Sequence, residues 1–228
     1  MKFVKGLIGW QARVALAVVL LAGFAGWSAS AAAAGVPHWL VRLRGVVLVP
    51  DDSSGAVSGI PGSGVGVSTD AIPELDISYF FDPHWAAELI LGSSRHDLSG
   101  RGSIAALGTI GHVRTLPPTL TLQYHFGSGR RIRPYLGLGV NYTHFFNPQP
   151  STSLDGALGT TSIHLDDSWG VAGQGGVDVA LGGGWFANVD VKYIDLGTTA
   201  RLTSTSGVRV VDVQIDPVLV GFGIGRRF

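Results

Sequence analysis

Eight times along this chain, apolar and polar residues alternate for about ten residues, the length a strand needs to cross a bilayer's hydrocarbon at a tilt. A period of two sends successive side chains to opposite faces, so each segment carries one greasy face and one polar face. The predicted strands are Trp39 to Val49, Ile72 to Phe81, Trp85 to Ser93, Thr119 to Phe126, Pro134 to Phe146, Ser168 to Leu181, Trp185 to Tyr193 and Val213 to Phe228. The fourth is interrupted at its start by Pro117-Pro118, which donate no ladder hydrogen bonds and point to an edge or a bulge.

The faces are unequal in a way that decides the fold class. The second face carries Arg42, Arg44, Glu74, Asp76, Glu88, Asp178, Asp190 and Lys192. A soluble barrel would turn its apolar face inward around a ligand and its charges outward. Charges of both signs can instead pair inside an eight-stranded barrel, whose interior side chains just fill. At the lipid-facing midplane each arginine or lysine would cost about 2–4 kcal/mol. The apolar face also carries aromatics near the strand ends, among them Trp39, Tyr79, Phe81, Trp85, Tyr124, Phe126, Trp169, Trp185, Tyr193 and Phe228, as interfacial girdles do. The expectation is an all-β, eight-stranded antiparallel up-and-down transmembrane β-barrel.

Connection lengths set its orientation. Asp82-Pro83-His84, Gly127 to Arg133 and Gly182 to Gly184 are short and rich in turn residues, while intervals 50–71, 94–118, 147–167 and 194–212 are long and read as polar loops. Both termini then lie on the short-turn, periplasmic side, with four long loops outside.

The N-terminus supplies the route of export. Lys2, Lys5 and Arg13 precede an apolar run from Val14 to Gly26 and a small-residue stretch from Ser28 to Gly35. That is the layout of a secretory signal, expected over residues 1–34 with cleavage near 33–35, leaving 35–228 as the barrel domain. The alternative is an uncleaved inner-membrane helix over Val14 to Ala34, disfavoured by its Ala-rich end and the lack of a positive flank. Removing the signal leaves thirteen basic against sixteen acidic residues, which excludes a basic nucleic-acid surface. There is no cysteine, hence no disulfide framework and no thiolate metal site.

Chemistry-bearing patterns are sparse. The seven histidines (38, 84, 96, 112, 125, 144 and 164) are scattered singly, with no H-x-x-x-H pair and no acid-rich metal loop, so neither metal nor cofactor is called for. Two sets can be drawn as nucleophile, base and acid: His164, Asp166, Asp167 and Ser168, or His96, Asp97 and Ser99. A triad is defined by geometry, and polar residues crowd strand ends anyway, so the expectation is that the chain is not an enzyme. The glycines of Gly62-Ser-Gly-Val-Gly and Gly182-Gly-Gly belong to turns, since no P-loop lysine follows either.

Several stretches together resemble the OmpW family of Gram-negative outer-membrane proteins. They are Trp39-Leu-Val-Arg-Leu-Arg-Gly, Val49-Pro-Asp-Asp-Ser-Ser, Leu116-Pro-Pro-Thr-Leu, Arg133-Pro-Tyr-Leu-Gly-Leu-Gly-Val-Asn-Tyr-Thr, Asp167-Ser-Trp-Gly-Val-Ala-Gly-Gln-Gly-Gly-Val-Asp, and the end from Asp216-Pro to Arg227-Phe228. The resemblance spans essentially the whole mature chain. It implies a porin-like outer-membrane barrel, set among phospholipid and lipopolysaccharide, whose narrow lumen conducts small hydrophobic molecules and releases them sideways into the membrane. It implies a transport gate at two inward positions, Ile90 and Lys192, the second being tryptophan in the best-known family pattern. A lysine there suggests a salt-bridged closure with Glu88 or Asp190. The resemblance also implies an assembly signal at Phe222, Ile224 and Phe228, read by the barrel-assembly machinery, with Arg226 standing where the family commonly has tyrosine. Phage and bacteriocin are further partners it implies. The rival reading is a structural or receptor barrel with a plugged lumen, whose extracellular loops are the functional surface.

Overall fold

The computed structural model describes residues 38–127 and 129–228; the expected signal segment, 1–34, lies outside the described residues. In chain order the strands are β1 (Trp39–Val49), β2 (Ser53–Ser54), β3 (Ser63–Val67), β4 (Asp70–Phe80), β5 (Trp85–Gly92), β6 (Ser94–Gly102), β7 (Thr109–Leu116), β8 (Thr119–His125) and β9 (Ile132–Pro150). A short helix α1 (Thr152–Leu158) follows, then β10 (Thr161–Leu165), β11 (Ser168–Gly182), β12 (Trp185–Ile194), β13 (Gly197–Ser204), β14 (Gly207–Gln214) and β15 (Val218–Arg227).

Eight of these strands close a barrel: β1, β4, β5, β8, β9, β11, β12 and β15 pair antiparallel in that order, and β15 returns to β1. Closure removes the free edges that an open sheet would present to lipid. The seam is continuous from Leu40 opposite Arg227 to Val49 opposite Val218. At the short-turn end, periplasmic by the general rule for outer-membrane barrels, the turns are tight. In the first, Asp82 Oδ1 accepts from the His84 and Trp85 amides at 2.7 and 2.8 Å, fixing the Asp-Pro-His reversal.

The barrel is inside out relative to a soluble protein. Leu43, Leu136, Leu138, Val171, Phe222 and Ile224 are all more than half exposed on its outer wall, while Arg42, Asp76, Glu88 and Gln123 are fully buried within it. Aromatic pairs gird the periplasmic rim, with Trp39 against Tyr79 and Trp85 against Tyr124 at ring separations of 4.8 and 5.0 Å. Tyr142 and Trp169 meet at a tilt, 4.8 Å apart, near the opposite rim. On the inner face of β15, between Leu219 and Arg227, stand Gly221, Gly223 and Gly225. A Cβ at Gly223 would run into the Leu43 carbonyl and the Arg44 side chain, so the glycines make room for two arginine stems.

Three expectations change. The eighth strand starts at Val218, because Val213 belongs to β14, a separate hairpin strand. Pro117-Pro118 mark no bulge: they separate β7 from β8, both of which pair onward to β9, and leave a local gap in the ladder only on the β5 side. The largest change concerns the four long connections, which are not simply polar loops. They fold into β2, β3, β6, β7, β10, β13, β14 and α1, and they enclose an apolar cluster that includes Val65, Leu98, Val113, Ile163, Leu202 and Val213.

Candidate functional site

Reading the inward residues from the periplasmic end upward gives three tiers. The lowest is a small apolar plug of Leu40, Phe80, Ala86 and Phe186, with the Arg227 guanidinium 3.9 Å from the centre of the Phe80 ring. Above it lies an ionic septum. The third tier is an apolar chamber that continues out of the barrel into the extracellular hairpins.

The septum is built around two arginines on β1. Arg42 forks onto Asp178 (Nε to Oδ1 3.1 Å, Nη2 to Oδ2 2.7 Å) and donates through Nη1 to Glu88 at 2.7 Å and Ser78 at 2.9 Å. The second oxygen of Glu88 accepts from Gln123 and Gln174 at 2.6 and 2.8 Å. Arg44 lies against three carboxylates: Asp76 at 2.5 Å, Glu74 at 3.0 Å and Asp190 at 3.3 Å. Its contact with Asp76 is too bent for a good hydrogen bond, so the attraction there is chiefly Coulombic. Tyr135 donates to Asp190 at 2.7 Å, and Lys192 donates to Glu74 at 2.7 Å and Asp190 at 2.9 Å. Every barrel strand but the glycine-bearing β15 contributes a polar side chain to this layer. Apart from Asp76, which is paired but accepts no hydrogen bond, the carboxylates of the layer are both paired and hydrogen-bonded, the condition that makes buried charges tolerable.

The chamber stands directly on that layer. Its floor is Ile90, Lys192, Glu74 and Thr119; its walls include Leu48, Ile72, Phe145, Ile194 and Leu219; the extracellular hairpins roof it with Val57, Leu98, Ile163, Leu202 and Val211. The void is about 90 Å³ and almost wholly apolar in lining. A void so lined stays dry and accepts small apolar guests, because water entering it would find too few polar partners.

Beside the Tyr142–Trp169 pair, Asp167 ties β9 to the start of β11. Tyr142 donates to it at 2.6 Å and His144 through Nδ1 at 2.7 Å. Partial burial pushes the Asp167 pKa up, but these hydrogen bonds outweigh it and hold the group below its ordinary value. A carboxylate depressed in the folded state contributes stability above its unfolded pKa, and that contribution is lost as pH falls through the folded pKa. The β9–β11 tie is therefore expected to hold at neutral pH and to loosen only below about pH 4. Hydrogen exchange at the Gly170 amide, which faces Asn141 of β9, compared at pH 6 and pH 3 in the natural chain and in Asp167→Asn, measures this; equal acid sensitivity in both would exclude the carboxylate as its source.

The structure places Arg42, Arg44, Glu74, Asp76, Glu88, Asp178, Asp190 and Lys192 in one buried layer. Lys192 meets Asp190, but its second partner is Glu74 in place of Glu88, which is already taken by Arg42, Gln123 and Gln174. Ile90 lies at the chamber floor, and Phe222, Ile224 and Phe228 face outward. Neither drawn triad assembles. His96 bonds Ser94 at 2.8 Å through Nε2 and the Ser68 carbonyl at 2.8 Å through Nδ1, and Ser99 instead reaches Gly66 O at 3.5 Å. Asp167 is engaged with Tyr142 and His144, and exposed His164 faces Asp166 at 3.5 Å. Sequence reasoning missed Ser78, Gln123, Tyr135, Gln174 and Asn188 as septum members. Their inward parity on already identified strands was the available signal.

A family model described as the OmpW family matches residues 37–228. The chain belongs to the OmpW family. Among its relatives, an uncharacterised outer-membrane protein of Sinorhizobium fredii is 40% identical over 86% of this chain and 82% of its own length. Outer membrane protein W of Vibrio cholerae is 34% identical over 83% of this chain and 88% of its own. The crystal structure of the outer membrane protein OprG from Pseudomonas aeruginosa superposes with a TM-score of 0.78 at 31% identity, covering 84% of this chain and 96% of that one. This OmpW-family barrel is therefore an outer-membrane protein.

Proposed function

We propose that this barrel takes small hydrophobic molecules from the extracellular side into the apolar chamber and passes them sideways into the outer membrane. The observation that carries the reading is the stacking of an apolar, outward-reaching chamber on a closed ionic septum. An apolar guest gains by leaving water for the chamber, at about 25 cal/mol per Å² of apolar surface. Continuing downward would force it to part the ion pairs around Arg42 and Arg44. The side wall is the easier path. The β4–β5 ladder ends at Glu74 opposite Gly92, the β5–β8 ladder ends at Ile90 opposite Thr119, and Pro117-Pro118 offer no donors to continue it. Gly92 and Pro117 both line the chamber at that level.

Ile90 and Lys192 are the gate in this reading, closing the floor by an aliphatic contact and the Lys192–Glu74 ion pair. Vesicles with lipopolysaccharide in the outer leaflet and a hydrophobic fluorescent tracer provide the test. Tracer uptake by the reconstituted protein is expected to exceed that of empty vesicles. In planar bilayers, Lys192→Ala is expected to alter single-channel conductance relative to the natural chain. No tracer uptake would favour the plugged, loop-presenting barrel, which the buried septum also suits. Unchanged conductance and selectivity in Lys192→Ala would remove the salt-bridged gate alone.

The outward Phe222 and Ile224 and the terminal Phe228 are assigned, on the same footing, to recognition by the barrel-assembly machinery. The extracellular hairpins are the surface for any phage or bacteriocin.

A further inference from the structure

The chamber has one charged liner that is out of place. Along β14 and into the residue after it, the chamber-lining positions are Arg209, Val211, Val213 and Ile215, while Val208, Asp212 and Gln214 are exposed. Arg209 thus occupies a place that strand parity reserves for an apolar side chain. It lies next to the turn joining β13 to β14, opposite Leu202. The other charged liners, Glu74 and Lys192, are satisfied by each other on the floor. The ring of His96 also lines the chamber, and both its nitrogens are engaged. Arg209 has no carboxylate within ion-pair distance among the described residues. Its Nη1 reaches Ser206 Oγ at a long 3.4 Å, and its Nε is shielded from solvent with no hydrogen-bond partner.

A guanidinium donor that has lost water without gaining a partner is an unfavourable arrangement, and a ligand acceptor would relieve it. We propose that Arg209 is a specificity residue at the chamber mouth, and that the molecules it selects are small amphiphiles with an apolar body and one terminal carboxylate. The inference rests on the chamber being the entry route and adds the polarity of the guest. A carboxylate matches the guanidinium fork, and one arginine without an ion-pair partner suits one negative charge. The septum sets the orientation. It carries Glu74, Asp76, Glu88, Asp178 and Asp190 against Arg42, Arg44 and Lys192, so its net charge is negative and repels an anion. The head is held outward at Arg209 while the tail fills the apolar void below.

The test uses the full chain in zwitterionic nanodiscs, with empty discs subtracted, at a pH where carboxylates are ionised. Calorimetry compares octanoate with octan-1-ol, which share a tail and differ in the head. Octanoate is expected to bind about tenfold more tightly, the size of one charge-assisted contact. Arg209→Gln is expected to erase that preference without changing octanol binding, and Arg209→Lys to keep part of it. Heat-modifiable gel mobility shows that each variant is folded. Equal affinity for the two compounds in the natural chain overturns the inference and leaves the chamber reading standing. An octanoate preference that survives in Arg209→Gln overturns it as well. Loss of the preference when lipid A is added to the discs assigns Arg209 to the lipid surface and overturns it too. Binding of neither compound defeats the chamber reading beneath it.

Discussion

Arg44→Met is expected to lower the stability of the barrel by about 3–5 kcal/mol. Arg44 is fully buried and holds Asp76, Glu74 and Asp190 at 2.5, 3.0 and 3.3 Å. Methionine keeps much of the side-chain volume but removes every donor. Glu74 and Asp190 then keep Lys192 as their close cation, Asp76 loses its one ion-pair partner among the described residues, and Asn188 loses its 3.1 Å contact from Nη1. The lost attraction is the smaller part of the effect; the larger part is the uncompensated charge left inside a closed cylinder. The double variant Arg44→Met with Asp76→Asn is accordingly expected to recover part of the loss, because one stranded charge goes with the arginine. Arg101 supplies the contrast. Its pair with Asp52 is 3.0 Å long but the arginine side chain is 52% exposed, so Arg101→Met is expected to cost no more than about 1 kcal/mol. Urea titration of heat-modifiable mobility in detergent reads all three. An Arg44→Met loss no larger than that of Arg101→Met would mean that the septum contains water and is not a sealed layer.

The barrel strands were legible because two solvents act on them at once. Lipid selects Leu136, Leu138 and Val140 on one face of β9, while the packed interior selects Gly137, Gly139 and Asn141 on the other, and the contrast persists for the length of the strand. The extracellular hairpins follow the same parity over shorter spans. In β13 the inward set is Thr198, Ala200 and Leu202 against Thr199, Arg201 and Thr203, a contrast weak enough to pass for a polar loop. In β14 the parity is sharper, but Val213 lies only five residues before the last barrel strand and merges with it on paper. The second partner of Lys192 was beyond reach for a geometric reason. Following ladder neighbours from Lys192 leads through Leu219 and Leu48 to Asp70, yet its side chain bonds Glu74, four positions further along β4. Barrel strands tilt relative to the axis, so residues at one height are not the residues paired by the ladder. Parity gives the face of a residue; only the tilt gives its height.

Gly92→Trp is expected to cut tracer uptake about tenfold to a hundredfold while leaving the barrel folded. Gly92 is the last residue of β5 and lines the chamber where the β4–β5 ladder ends, beside the Pro117-Pro118 break. Its backbone lies outside the left-handed region, so a side chain is conformationally admissible there. A Cβ would meet Ile72 Cδ1 at 3.2 Å and the Pro73 carbonyl at 3.7 Å, contacts that a small shift of the isoleucine relieves. An indole growing from that point has one open direction, into the void of about 90 Å³ that a guest needs. A guest must then displace a packed ring at the strain typical of an overfilled core, about 1–3 kcal/mol, which sets the size of the effect. Leu138→Trp is the control. Leu138 is 76% exposed on the lipid-facing wall, and an indole there is expected to leave uptake unchanged. The septum is untouched by either change, so a selective loss in Gly92→Trp separates passage through the chamber and its side wall from passage down the axis. Uptake at the natural rate in Gly92→Trp would place the route of hydrophobic molecules outside the chamber.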